Sequence, residues 1–330
     1  MQHLSARLRS LIILFLWTVL TAQFAQSQRI VDLNKGSHFL KKKGSMDGNL
    51  VETIYYNYGE IADWQFDPTH SGVWPKGTNH TYIDGVAVVV QAEAHDQQGH
   101  IFHPLETNYY EFTRQNVATA VTYGWWPLPG YDNRFGKTPA QSNEPGTWPP
   151  HWPDRPDDWD GSWNGFFGKG VLNADLESYF VFDDNEDRDY INKYNFRPDA
   201  EDTSRGGLGM QVHARGFQWS QVLAEDVIFW YYEITNMGTT DYDKTLFAQY
   251  VDWGIGGHDN SSSNVGDYEL LLNLSYAWLT PGVPGNPGHW SPVGYAGYAF
   301  LESPGISYDH FDNDHDGLTD ERRDNNARVL

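Results

Sequence analysis

The feature that most constrains the fold of this chain is an alternation of apolar and polar residues with a period of two, without a convincing 3.6-residue period anywhere. Residues 269–278 show it most clearly. Successive side chains of a strand point to opposite faces, so the apolar ones here share one face: Leu270, Leu272, Leu274, Tyr276 and Trp278. The polar residues of this segment fall on the other face. The pattern therefore predicts a mainly β protein whose sheets have one solvent-facing side.

Nine segments are expected to form strands. They are residues 50–58, 82–94, 101–112, 177–182, 208–214, 227–234, 245–253, 269–278 and 293–301. Segment 227–234 is apolar on both faces, which is typical of a central strand. Turn residues at 95–99 and at 236–240 predict two hairpins. Because no crossover helices separate the strands, we expect an antiparallel β-sandwich over residues 28–302.

The strand before the second turn has a characteristic sequence. Residues 229–240 read FWYYEITNMGTT, an aromatic strand that ends in Thr-Asn-x-Gly-x-Thr. This resembles the strand-and-turn signature of bacterial surface immunoglobulin-like and fibronectin-type modules, over residues 226–253. The resemblance implies a β-sandwich and a non-enzymatic role at the cell surface.

The N-terminus predicts an export signal. Arg7 and Arg9 precede an apolar run at 11–20, and small residues stand at positions 25 and 27, where a signal peptidase reads. A membrane anchor is the alternative, but a spanning helix needs about 20 apolar residues and polar residues interrupt this run. We expect residues 1–27 to be a cleaved signal peptide, and the mature chain to be secreted without a membrane span.

Charge and cysteine content narrow the partners. The chain has 22 Lys and Arg against 44 Asp and Glu, a net charge of −22, which disfavours nucleic acids and anionic membranes. Cations, polysaccharides and other surface proteins remain. The sequence has no cysteine, so an exported chain of this kind has neither disulfides nor a cysteine-based zinc site. Calcium, which needs only oxygen ligands, is the cofactor that we expect to stabilise it.

The C-terminal segment 303–330 carries the most specific chemical motif, DNDHDGLTDE at 312–321. Aspartates at alternate positions point inward around a cation, and Gly317 permits the sharp bend. The predicted ligands are Asp312, Asp314, Asp316, the carbonyl of Leu318, and Asp320. The spacing resembles the calcium loops of thrombospondin type 3 repeats. Arg323 stands where a helix-loop-helix site has a bidentate Glu, so we expect weak, extracellular-class affinity, and the segment is expected to begin a further part of a longer protein.

Two other acidic segments leave their role open. In 183–189 acidic or amide side chains stand at alternate positions but without the glycine, which fits a metal site and a solvated turn equally well. Asp252, Asp259, Asn260 and Asp267 bracket a Gly-rich loop, where a polar loop is favoured over a cation site.

Between residues 124 and 170 the composition changes to Trp, Pro, Gly and Asp, which predicts an ordered insertion at about 120–170. Tryptophan faces stack on sugars, so the insertion is a candidate glycan platform. The candidate ligand-binding residues are Trp148, Trp152, Trp159 and Trp163. The favoured alternative is that these rings pack on one another to cover the end of a sheet.

Catalytic signatures are sparse. The glycines of segment 130–138 have the wrong spacing for a phosphate loop, and the sequence has no Gly-x-Ser-x-Gly or His-Glu-x-x-His motif. His100 and His103 fall on opposite faces of a strand and do not predict a chelating pair. We expect a secreted, non-enzymatic, calcium-stabilised surface or matrix protein, with glycan binding as one role. The enzyme alternative is a glycoside hydrolase that uses paired Asp and Glu.

Overall fold

A computed structural model describes residues 34–109, 124–301 and 310. The expected signal peptide and the expected calcium loop, with Asp312, Asp314, Asp316, Leu318 and Asp320, lie outside the described residues. In the described ranges no helix is long and apolar enough to cross a membrane.

The described chain is mainly β, as the alternation predicts, and its strand pairs are antiparallel. The strands are β1 (Lys43–Met46), β2 (Thr53–Tyr56), β3 (Ile83–Ala92), β4 (Ala94–His95), β5 (Ile101–Phe102), β6 (Leu105–Glu106), β7 (Trp126–Pro127), β8 (Ala140–Gln141), β9 (Asn164–Gly165), β10 (Gly168–Lys169), β11 (Leu176–Asp183), β12 (Met210–Gln218), β13 (Phe229–Asn236), β14 (Thr245–Trp253), β15 (Asn264–Glu269), β16 (Leu274–Leu279) and β17 (Tyr295–Ala299). One short helix, α1 (Asp189–Tyr194), lies among the described residues, and 3₁₀ turns occupy His38–Leu40, Pro145–Thr147, Asp157–Trp159, His258–Ser263 and Leu270–Leu272.

Two sheets contribute to one core. The first has the order β13-β12-β11-β7, with β8 also pairing with β11, and the second has the order β14-β3-β6. Bridges from Tyr55 to Ile61 and from Ile61 to Val86 connect β2 to the second sheet. Side chains of β1, β2 and β3 pack with those of β11 and β12, and the rings of Tyr55 and Phe180 stack with centroids 5.4 Å apart. This arrangement is consistent with a β-sandwich.

Three expectations about individual strands are wrong. Segment 269–278 is not one strand: β15 ends at Glu269, a 3₁₀ turn follows, and Asn273 takes a left-handed conformation before β16 begins. The alternating leucines of the turn are therefore exposed. Strand β13 is not central, because in the described chain it pairs only with β12.

The third correction concerns the turn at 236–240. It does not close a hairpin, because β13 belongs to the first sheet and β14 pairs with β3 in the second. The turn instead carries the chain from one sheet to the other, and Tyr232 contacts Phe247 across the interface. The hairpin at 95–99 is confirmed by the pairing of β4 with β5. Segment 101–112 forms only the short strands β5 and β6 in its described part.

Candidate functional site

The insertion at 124–170 packs as a second core on the outer face of the first sheet. Trp152 and Trp163 are 1% and 2% exposed, and their rings meet edge to face with centroids 5.8 Å apart. Trp148 and Trp159 are half-buried against the same cluster. Of the four candidate glycan-stacking residues, two therefore have both ring faces covered by protein in this conformation.

Polar contacts fasten the insertion to β11 and β12. The Trp163 indole N–H donates to Glu177 Oε2 at 2.7 Å, and the Tyr179 hydroxyl donates to Asp154 Oδ2 at 2.7 Å. Arg215 donates to the Asn164 carbonyl at 2.7 Å. Each of these sheet side chains is buried, so every bond satisfies a group that water cannot reach.

Trp159 has a partly exposed ring, which a stacking contact with a glycan requires. Its ring is partly exposed, the Arg155 guanidinium lies 4.7 Å from its centroid, and exposed acids flank it in the chain. An aromatic surface beside hydroxyl-accepting carboxylates fits sugar binding. In the described structure Trp159 is the stronger of the two half-buried candidates on this ground.

The most unusual chemistry lies where the ends of the two sheets meet. Glu106 on β6, Asp183 at the end of β11, and Asp184 and Asp187 just after it are all buried, with at most 3% of each residue exposed. We call these four residues the acidic centre. The sequence flagged 183–189 as a possible metal site but gave no reason to add Glu106, which is distant in sequence.

Backbone donors hold the three aspartates. Asp183 Oδ1 accepts from the N–H of Gly36 at 3.0 Å, and Asp187 Oδ1 accepts from the N–H of Asp189 at 2.7 Å. Asp184 accepts from the N–H groups of Leu208 and Met210 at 2.7 and 3.0 Å. These bonds fix the positions of the carboxylates but do not neutralise their charge.

Glycines permit the close packing around Asp184 and Asp187. Gly207 has φ +61°, and a Cβ there would lie 2.4 Å from Asp184 Cγ. A Cβ on Gly206 would lie 2.1 Å from the Asp187 carbonyl oxygen. A sequence signal for this enclosure is available in the Gly206-Gly207 pair, seventeen residues after Asp189.

Burial is the main cause of unusual protonation in the acidic centre. It raises the pKa of Asp183 to about 7 and that of Asp187 to about 6. The pKa of Glu106 lies well above its ordinary value, first because of burial and then because of the charges of Asp187 and Asp184. Burial therefore favours the protonated forms of these acids over their ionised forms, unless a cation compensates the negative charge.

The other acidic segment behaves as a polar loop, which was the favoured interpretation. Asp259 accepts from the Asn286 side chain at 2.9 Å, and Asn260 donates to the carbonyls of Gly256 and Pro284. Asp252 accepts from the Tyr109 hydroxyl, whereas Asp267 accepts from the Tyr268 N–H. The structure does not bring these acids together.

The two histidines and the phosphate-loop-like segment considered in the sequence do not form binding sites in the described structure. His100 contacts Asp96 and His103 contacts Glu93, so the two histidines do not share a ligand. Segment 130–138 forms a turn in which the Asn133 N–H donates to the Thr147 carbonyl, and it is followed by the short strand β8 rather than by an α-helix. The phosphate-loop interpretation is therefore without structural support.

No family model matches this chain, and neither a curated protein nor a solved structure is significantly similar to it.

Proposed function

We propose that this protein is a secreted, non-enzymatic surface or matrix protein whose fold is stabilised by calcium. The observation that carries the proposal is the acidic centre, because buried carboxylates whose charges act on one another, as those of Asp187 and Asp184 act on Glu106, are costly unless protons or cations neutralise them. Extracellular calcium at millimolar concentration is a ready source of that positive charge. The spacing of Asp312, Asp314 and Asp316 supplies a second, sequence-based reason to expect calcium.

Glycan binding is the recognition role that we infer within this proposal. The half-buried Trp159 ring beside Arg155 and exposed acids supports a contact with a polysaccharide. The enzyme alternative receives less support from the acidic centre. The charge of Asp187 acts on Glu106, but the burial of both residues separates them from any external polysaccharide in this conformation.

The test compares the mature protein, beginning at Gln28, in calcium and in a chelator. We expect it in the secreted fraction, and we expect millimolar calcium to raise its melting temperature. Asp314→Ala should reduce the calcium bound by the tail. A melting temperature that is the same in calcium and in chelator, or recovery of the protein only from the cytoplasm, would contradict the proposal.

A further inference from the structure

Two buried glutamates of this protein have opposite environments. Glu177 is fully buried and accepts from the N–H groups of Asn173 and Ala174 and from the Trp163 indole. Glu106 is equally buried, yet neither of its carboxylate oxygens has a hydrogen-bond donor among the described residues. A buried carboxylate without a donor is rare, because its desolvation is uncompensated.

The neighbours of Glu106 make its isolation more severe. Its carboxylate lies within hydrogen-bonding reach of the Asp187 carboxylate, and Asp184 and Asp189 add further negative charge. Two carboxylates are both acceptors, so they can stay this close only with a proton or a cation between them. Among the described residues, the charges that act most strongly on Glu106 are those of Asp187, Asp184 and Asp189, which are all negative.

The surroundings hold the Glu106 backbone in place. The Tyr190 hydroxyl on α1 donates to the Leu105 carbonyl at 2.6 Å and accepts from the Leu105 N–H at 2.8 Å. Residue 106 also pairs with Val90 in the second sheet. Glu106 is therefore fastened on two sides, and its carboxylate is kept against the segment after β11 rather than free to turn toward solvent.

The available ligand atoms are oxygens. In the part of the chain that the structure describes, no three His, Asp or Glu side chains already converge as a ready-made metal-binding group. Two carboxylates would then supply the charge, and neutral oxygens would complete the shell, which calcium accepts more readily than magnesium. Asn185, two residues before Asp187, has a buried side-chain oxygen for which the described residues offer no donor.

We propose that Glu106 and Asp187 are the carboxylate ligands of a calcium ion buried between the two sheets, separate from the Asp312–Asp320 loop. The inference rests on the proposed function, because that function supplies extracellular calcium. It assigns the ion to an internal position, where it joins β6 of the second sheet to the chain that leaves β11 of the first.

The test measures calcium binding by equilibrium dialysis, and melting temperature, for four forms of the mature full-length chain. Asp314→Ala should retain one bound calcium and a calcium-dependent rise of about 5 °C. Glu106→Gln should lose that ion and that rise, while its melting temperature in chelator stays equal to the wild-type value or exceeds it. Glu177→Gln is the matched control: it should melt lower but keep the calcium response.

The outcomes separate the two proposals. If the wild type responds to calcium but Glu106→Gln binds as many ions and gains as many degrees, the internal site is wrong and the proposed function stands. If the wild type neither binds calcium nor gains stability, both are wrong. If Glu106→Gln fails to fold, the internal site is tested instead with wild-type crystals soaked in strontium. Anomalous density between Glu106 and Asp187 supports the site, and its absence rejects it.

Discussion

At the scale of single residues, the Gly206-Gly207 turn determines how closely the chain can approach Asp184. Gly207→Ala adds a Cβ 2.4 Å from Asp184 Cγ in a left-handed backbone conformation. Gly77 is the matched control, because it has φ +78° and nothing within 4 Å of the added atom. We expect Gly77→Ala to cost about 1 kcal/mol from backbone strain alone.

Gly207→Ala should cost about 2 kcal/mol more than the control, because the overlap with Asp184 adds to the same strain. Chemical denaturation of both variants measures the difference in the free energy of unfolding. Equal decreases in the free energy of unfolding of the two variants would mean that the chain around Asp184 shifts to accommodate the added Cβ at little cost.

The buried Asp183 is expected to make the free energy of unfolding depend on pH. Its pKa is raised from 3.8 to about 7, so the protonated form favours the folded state. Its contribution to stability is present below pH 3.8 and is lost as the pH rises through about 7. The charged groups that act on it are Arg205, Glu186 and Asp184.

Asp183→Asn removes this titration while keeping an acceptor for the Gly36 N–H. In chelator, between pH 5 and pH 8, the wild type should lose about 2.5 kcal/mol more stability than Asp183→Asn. Denaturant titrations at the two pH values provide the measurement. Parallel losses in wild type and variant would show that Asp183 is ionised throughout.

At the scale of elements, the insertion at 124–170 is held by Trp163. Trp163→Ala removes a buried indole and leaves Glu177 Oε2 without its donor, which should cost about 3–5 kcal/mol and expose the insertion to proteases. Trp159→Ala, at a half-buried ring, should cost about 1 kcal/mol or less. Limited proteolysis with mass spectrometry compares the two variants; similar cleavage in both would contradict the anchoring role of Trp163.

The elements also show that a local pattern can identify a strand correctly in one segment and conceal a turn in another. The predicted strand 245–253 has the bounds of β14. In 269–278 the alternation conceals a hairpin, because Leu270–Leu272 form the turn and Asn273 supplies the left-handed residue with φ 45°. Asparagine tolerates that conformation well, and it was the one local signal of the turn.

At the scale of the whole molecule, the fold class could be read from periodicity, but the pairing of strands could not. An apolar strand such as 227–234 is compatible with the centre or the edge of a sheet, and here it lies at an edge with its residues half-buried or exposed. The acidic centre was missed for a related reason. Glu106 lies on β6 of the second sheet, whereas Asp187 follows β11 of the first. Their proximity depends on how the two sheets pack, and the spacing of the two residues in the sequence does not indicate it.

The pairing of β3 with β14 has a consequence for synthesis. Val90 pairs with Phe247, so a ribosome must translate the whole intervening chain before this partner exists. At about 5–20 residues per second this delay is on the order of ten seconds. During this delay, the apolar residues of β3 lack β14, the strand with which they later pair. The topology therefore leaves one side of β3 unpaired until β14 has been synthesised.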